Sequence, residues 1–295
     1  MGMTLIREFA PAKINLYLHI TGRRADGYHD LDSLVAFASI GDEVAVRSGK
    51  GFRFEITGPQ AKALENESSE NNLAVKAALS LAELTDNKLD AILVLVKNLP
   101  VASGIGGGSS DAAATLRALA RYWGLKQNDP RLMQAAAKHG QDVGVCVRIE
   151  NTYMTATGVL PSPRLPRANI VLINPNKVLP TPTVYKEYRE GGDKFSPLAR
   201  FEKTPETVSE MVAMLKARGN DLYAPAVRMM PEIAEIISVL EASGECLLAR
   251  MSGSGASCFG IFPDETSAKS AAHQIRVMRQ KWWVVMGVIN NYDVK

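Results

Sequence analysis

The sequence predicts an α+β protein of two domains, and three observations carry that prediction. Strand-like and helix-like stretches are mixed along the whole chain, which suits helices laid on one face of a mainly antiparallel sheet. Pro161, Pro163 and Pro166 cluster around Ser162 and Arg164 as a linker signal, giving an expected division into 1–162 and 163–295. At 295 residues and 46% hydrophobic, the chain is long enough and apolar enough for two cores.

Composition narrows the class further. Lys plus Arg number 34 against 31 for Asp plus Glu, a net charge of +3, which predicts neither nucleic-acid nor membrane binding. Cys146, Cys246 and Cys258 are odd in number, far apart and set in apolar contexts, so buried free thiols in a reducing compartment are expected. No apolar run reaches the ~20 residues of a membrane helix, and the first residues lack a signal-peptide layout. The expected location is the cytoplasm.

In chain order, Lys13 to Ile20 alternates: Ile14, Leu16, Leu18 and Ile20 fall on one face, Lys13, Asn15, Tyr17 and His19 on the other. This is the pattern of a half-buried strand, with Lys13 and Asn15 about 7 Å apart on its polar face. Gly22, Asp26 and Gly27 mark turns before Tyr28 and His29, a pair that either packs against its own loop or grips a planar ligand. Leu34 to Ile40, Glu43 to Val46 and Phe52 to Ile56 read as further strands of an antiparallel meander, the first two separated by Gly41-Asp42. Asn71 and Asn72 are placed to cap a helix from Leu73 to Leu84.

Ala91 to Val96 is a buried strand, and after it comes the stretch Pro-Val-Ala-Ser-Gly-Ile-Gly-Gly-Gly-Ser-Ser-Asp, Pro100 to Asp111. Strand, glycine loop and helix in that order form a phosphate cradle. Gly104, Gly106, Gly107 and Gly108 admit an anion to the main-chain N–H groups, and Ser109, Ser110 and Asp111 supply N-cap chemistry for the helix that follows. A flexible loop before an ordinary capped helix is the competing reading. The stretch is no P-loop, because Ser109 rather than Lys follows Gly108, and no dinucleotide fingerprint, because Lys97 to Ser103 intervene after the strand.

The helix after the loop ends near Gly124, and Asp129-Pro130 opens another that closes at Gly140. Asp142 then precedes an apolar run, as a cap or as a carboxylate entering a core. Tyr153 to Thr157 is one more strand. Beyond the linker the expected elements are a strand at Ile170 to Ile173, a helix from Thr204-Pro205 to Arg218, and a helix from Pro231 to Leu240. They end with strands at Leu247 to Arg250 and Cys258 to Phe262 around a small-residue loop, a helix from Glu265 to Met278 and a strand from Trp282 to Val288.

Seven stretches together resemble the GHMP kinase superfamily: Pro11 to Leu16, Gly22 to His29, Leu99 to Ala113, Gly140 to Val143, Pro180 to Thr183, Gly219 to Leu222 and Met251 to Ser257. Within it the likeness is to the branch that phosphorylates a cytidine-diphosphate-linked methylerythritol in the non-mevalonate isoprenoid pathway. The resemblance implies a two-domain fold, an N-terminal ribosomal-protein-S5-like β/α domain and a C-terminal ferredoxin-like α+β domain. It implies ATP and Mg²⁺ as cofactors, a small-molecule acceptor phosphorylated on its 2-hydroxyl, and a monomer or homodimer.

Residue by residue, the resemblance makes Asp142 the group that orients or deprotonates the acceptor hydroxyl, with Lys13 beside it. Asn15, Thr183 and Tyr185 join the acceptor pocket, where Tyr28 and Tyr185 stack on the cytosine and His29 reads its edge. Asn72, Leu73 and Lys97 match positions around the adenine. The ATP phosphates match the loop Pro100, Val101, Ala102, Ser103, Gly104, Ile105, Gly106, Gly107, Gly108, Ser109 and Ser110, with the two serines near Mg²⁺. After Asp142-Val143 the family carries Pro and an aromatic, whereas this chain has Gly144 and Val145. Two other readings stay open from the residues alone: a GHMP kinase acting on a mevalonate-type alcohol, and a nucleotide-binding paralogue without catalysis.

Overall fold

A computed structural model describes residues 5–192 and 194–290. The chain begins with two long strands, β1 (Leu5–Arg23) and β2 (His29–Ser48), then β3 (Arg53–Thr57), helix α1 (Leu73–Thr85) and β4 (Ala91–Val96). Three helices follow, α2 (Gly107–Tyr122), α3 (Pro130–Ala137) and α4 (Gln141–Arg148), and then β5 (Thr152–Thr155), β6 (Gly158–Pro161) and β7 (Ala168–Asn174). The rest runs α5 (Thr181–Glu190), α6 (Val208–Lys216), α7 (Tyr223–Met229), α8 (Glu232–Ala242), β8 (Leu248–Met251), β9 (Cys258–Phe262), α9 (Glu265–Met278) and β10 (Trp283–Ile289).

Packing divides the chain into two compact units that interleave along the sequence. One comprises the chain up to Ala12 with Gly41–Val101 and Gly106–Glu150; the other comprises Lys13–Ile40, Ala102–Ile105 and the chain from Asn151 onward. In the first unit the end of β2 pairs antiparallel with β4, Glu43 opposite Val96, and β3 pairs parallel with β4, Arg53 opposite Ile92. The parallel pair corrects the expected meander: α1 lies between β3 and β4 in sequence, so it can serve as the crossover that a parallel neighbour needs. Helix α2 packs on both α1 and α4, and its buried Ala112, Ala113, Ala114 and Ala118 allow close approach.

Gly41-Asp42 does not end a strand, because β2 continues through it. Glycine is needed there for proximity rather than for a turn: a Cβ at Gly41 would stand 2.3 Å from the Ala10 carbonyl oxygen. The second unit pairs β10 with β7, β7 with β9 and β9 with β8, all antiparallel, and β5 with the start of β2, Asp32 opposite Thr155. Its apolar core gathers Ile20, Val171, Ile173, Leu222, Ile236, Leu240, Phe262 and Ile275.

Several boundaries differ from the sequence reading for local reasons. α2 starts at Gly107 with Gly106 as its N-cap and no side-chain cap, so Ser109, Ser110 and Asp111 lie inside the helix rather than before it. α6 starts after Thr207, whose hydroxyl accepts from Glu210 N–H while Glu210 reaches back, a capping box that outcompetes Thr204-Pro205. Two helices lie outside the expected set, α5 and α7; both are short and carry a proline, Pro182 or Pro225, in the first turn, where proline is tolerated. Asn72 does cap α1, accepting from Ala74 N–H, and Asp129 caps α3 ahead of Pro130. Cys146 and Cys258 are buried and Cys246 half-buried, and no disulfide joins them among the described residues.

Candidate active site

The alternation of Lys13 to Ile20 suggested one wet face, but this stretch of β1 is buried on both. Lys13 is 5% exposed, Asn15 4%, Tyr17 0% and His19 8%, so this polar row is enclosed and must be hydrogen-bonded. Lys13 Nζ donates to Asn15 Oδ1 at 3.3 Å, Asn15 Nδ2 donates to Ser33 Oγ at 2.8 Å, and Ser33 Oγ donates to the Tyr17 carbonyl at 2.6 Å. Asn15 is thereby oriented with its amide oxygen toward the lysine. Sequence reading missed Ser33, which stands on the neighbouring strand and carries no local signal.

The same strand holds part of the glycine-rich segment. Lys13 N–H donates to the Ile105 carbonyl at 2.9 Å, and Asn15 N–H donates to Ser252 Oγ at 3.0 Å, which in turn donates to the Gly104 carbonyl at 3.0 Å. Ser257 N–H donates to the Ser103 carbonyl at 3.0 Å. The two small-residue loops therefore interlock, and glycine is what permits it: Gly104 has φ +74°, and a Cβ there would meet backbone atoms of Ser252 and Gly255 at 2.5–2.8 Å. Asn220 Nδ2 bridges the carbonyls of Met251 and Gly253 at 2.9 and 2.8 Å, fixing the second loop from its other side.

Left-handed backbone alternates through the first loop, at Ala102 (φ +49°), Gly104 (+74°) and Gly106 (+65°). Such alternation is the pattern by which successive N–H groups gather into an anion-binding nest. Ala102 accepts a strained conformation that glycine would adopt freely. Pro100, Ser103, Ile105 and Ser110 are buried, whereas Val101, Gly106, Gly107 and Ser109 are half-buried and Gly108 is exposed. Ser110 Oγ is buried and bonds no other protein atom, an oxygen suited to a hard cation such as Mg²⁺.

Aromatic rings meet in the second unit. His29 stacks on Tyr185 with centroids 5.3 Å apart and planes 29° apart, and meets Tyr188 edge-on at 5.6 Å. Tyr188, missed from sequence, is buried on α5 three residues beyond Tyr185, so one helix face presents both rings. Tyr28 is 73% exposed and takes no part in this stack; its N–H donates to Asp26 Oδ1 at 3.0 Å. Thr183 is exposed in the first turn of α5.

The first unit brings together Leu73, Lys97 and the start of α2. A Cβ on Gly108 would lie 3.7 Å from Leu73 Cδ1, and one on Gly107 would lie 3.1 Å from Lys97 Nζ. Lys97 is 3% exposed and donates to Asp42 Oδ2 at 2.6 Å and Asp111 Oδ2 at 2.7 Å. Burial works against its charge, but the two carboxylates outweigh burial and raise its pKa. Burial raises the Asp111 carboxyl to about 8, with Lys97 opposing and Asp42 reinforcing that shift. Asp42 and Asp111 escaped sequence reading because they look like a turn residue and a helix cap.

Asp42 also accepts from the half-buried Asn98 N–H and the buried Leu99 N–H, so removing it deprives both of that acceptor and takes one of two carboxylates from the ammonium. Asp42→Ala is expected to lower stability by about 3–5 kcal/mol, read from the chemical-denaturation midpoint. Asp142, finally, is half-buried in the first turn of α4, whose Gly140 N-cap has φ +106°. The helix N-terminus favours a carboxylate there. Gly144 lets α4 approach α3: a Cβ would meet Met133 Cε at 3.3 Å.

Two family models match the chain, the GHMP kinases N terminal domain over residues 72–151 and the GHMP kinases C terminal over 201–278. A 4-diphosphocytidyl-2-C-methyl-D-erythritol kinase of Rhodospirillum rubrum is 45% identical over 94% of this chain and 90% of its own length. A protein of the same name from Parvibaculum lavamentivorans is 44% identical over 95% and 96%. A crystal structure of 4-(cytidine 5'-diphospho)-2C-methyl-D-erythritol kinase superposes with TM-score 0.76 at 30% identity, covering 96% of this chain and 98% of that one. A crystal structure of L. major mevalonate kinase in complex with R-mevalonate reaches TM-score 0.70 at 13% identity, covering 97% of this chain and 96% of that one, which speaks for the fold alone. The interleaved α+β architecture is the GHMP kinase fold, and the chain belongs to the 4-diphosphocytidyl-2-C-methyl-D-erythritol kinase family of the GHMP kinases.

Proposed function

We propose that this protein transfers the γ-phosphoryl group of ATP to the 2-hydroxyl of 4-diphosphocytidyl-2-C-methyl-D-erythritol, in the non-mevalonate isoprenoid pathway of the cytoplasm. Relatives of that name at 40–45% identity over nearly the whole chain support the reaction. The observation that carries the acceptor is the ring pair of His29 and Tyr185, 5.3 Å apart. A mevalonate-type alcohol has no planar base to stack on an outer face of such a pair. The proposed division of labour assigns 1–162 to the phosphate loop and catalytic residues and 163–295 to a contribution to the substrate site. Neither nucleic acid nor membrane is a partner in this reading, and the active species is a monomer or homodimer.

Each group has a defined task. An alcohol is a poor nucleophile at neutral pH, so Asp142 accepts or orients its proton as the oxygen approaches phosphorus. Lys13, kept in line by Asn15, supplies positive charge to the phosphoryl oxygens. Backbone N–H groups of Pro100–Ser110, the prolyl nitrogen excepted, cradle the ATP phosphates. Ser110, with Ser109 beside it, would hold Mg²⁺, which when bound neutralises phosphate charge. Asn72 and Leu73 line the adenine at the start of α1. Lys97 serves there as a wall, since its ammonium, N–H and carbonyl are all engaged within the protein.

Tyr28 and Tyr185 stack on the cytosine, His29 reads its hydrogen-bonding edge, and Thr183 and Asn15 approach the sugar-alcohol end. The Tyr185→Ala variant is expected to raise the acceptor KM roughly tenfold or more, by the usual worth of base–aromatic stacking, with the ATP KM unchanged. The deciding experiment is a coupled assay for ADP release against a panel of alcohol acceptors. Turnover with mevalonate and none with the cytidyl-methylerythritol would overturn the acceptor assignment.

A further inference from the structure

Lys97 directly follows β4, and its ammonium reaches both sides of the glycine-rich segment. On the entry side, Asp42 Oδ2 accepts from Lys97 Nζ at 2.6 Å while Oδ1 accepts from Asn98 N–H at 2.6 Å and Leu99 N–H at 2.8 Å. On the exit side, Asp111, one turn into α2, accepts from the same ammonium at 2.7 Å. A Cβ at Gly107 would stand 3.1 Å from the ammonium, tighter than an ordinary contact, so glycine there leaves the contact uncrowded. Lys97, Asp42 and Asp111 are all buried, Asp42 completely. Asp111 Oδ1 is left without a hydrogen-bond partner, so the exit-side contact is kept although one carboxylate oxygen goes unsatisfied.

We infer that Lys97, Asp42 and Asp111 are positioning residues that tie the entry of the phosphate loop to its exit. The reading rests on ATP binding in that loop. One ammonium holds the turn at Asn98 and Leu99 and the first turns of α2 at a set separation, so the chain from Pro100 to Gly106 is closed before any ligand arrives. Pre-closing a loop removes ordering entropy from the binding step, which raises affinity without adding a contact to the ligand. None of the three groups needs to touch the nucleotide for this.

The test separates the tie from simple structural support. Asp111→Leu removes the exit-side bond and leaves Lys97 and Asp42 as a balanced pair, so the variant is expected to melt no lower than the parent. ATP affinity, measured calorimetrically with Mg²⁺, is expected to fall tenfold or more, with the acceptor KM within twofold of the parent. A second variant, Lys97→Met/Asp111→Leu, removes both ends of the bond and is expected to show the same loss. If either folded variant binds ATP within twofold of the parent, the inference is overturned.

Should neither variant fold, hydrogen exchange of the parent decides. The Asn98 and Leu99 amides and those of Ser110 and Asp111 are expected to be protected to within about tenfold of one another, as one cooperative unit. Exchange at the α2 end faster by orders of magnitude would show the two ends untied. A parent that binds no ATP at all would instead defeat the nucleotide reading itself, which keeps the two failures distinct.

Discussion

Asp142→Ala is expected to lower kcat on the order of 10²-fold or more while leaving the ATP KM nearly unchanged. The carboxylate sits on a short helix held in place by buried Val143, Val145 and Cys146, and α4 packs against α2, the helix that leaves the phosphate loop. On the proposed function, losing this side chain removes chemistry while the packing of α4 on α2 stays in place. Asp142→Asn sharpens the result. Asparagine keeps an acceptor oxygen but cannot take a proton, so a base gives an equally severe loss and a positioner a milder one. Steady-state kinetics on the three proteins measure both, and near-normal turnover in the alanine variant would remove Asp142 from the mechanism.

Gly104→Ala is the second large effect, and it strikes the loop rather than the chemistry. With φ at +74°, any Cβ carries the cost of left-handed backbone, about 1–2 kcal/mol. It would also stand 2.5 and 2.6 Å from the Ser252 and Gly255 carbonyl oxygens, which are backbone atoms and cannot rotate away. Overpacking of that kind adds roughly 1–3 kcal/mol. A stability loss of about 2–5 kcal/mol in chemical denaturation is expected, together with weakened ATP binding because Ser252 and Ser257 no longer hold the loop. A variant that denatures and binds ATP like the parent would show that the two loops are not interlocked.

Local signals were legible where one residue's own chemistry decided the structure. Ala91–Val96, the Asn72 and Asp129 caps and the helix Glu265–Met278 all read correctly, because apolar periodicity and capping act within a few residues. Where a distant partner decided, the reading went astray. Gly41-Asp42 looked like a turn, yet Gly41 is there for the Ala10 carbonyl and Asp42 for Lys97 and two N–H groups beyond it. The polar face of β1 looked solvated, since alternation alone does not distinguish water from a second layer of protein.

The candidate site divides along the same line. From the sequence alone came the glycine-rich loop as an anion cradle, the helix that follows it, and, through family likeness, the residues offered for catalysis and base stacking. Motifs of this kind survive in sequence because the chemistry demands particular residue types at short spacing. Only the tertiary structure decided that Lys13 and Asn15 form an enclosed, oriented pair, that His29 stacks on Tyr185 while Tyr28 stands apart, and that Lys97 faces two acids rather than open space. Those facts depend on residues tens to hundreds of positions apart meeting in a close-packed interior, where burial forces every charge and polar atom to find a partner that no local pattern names.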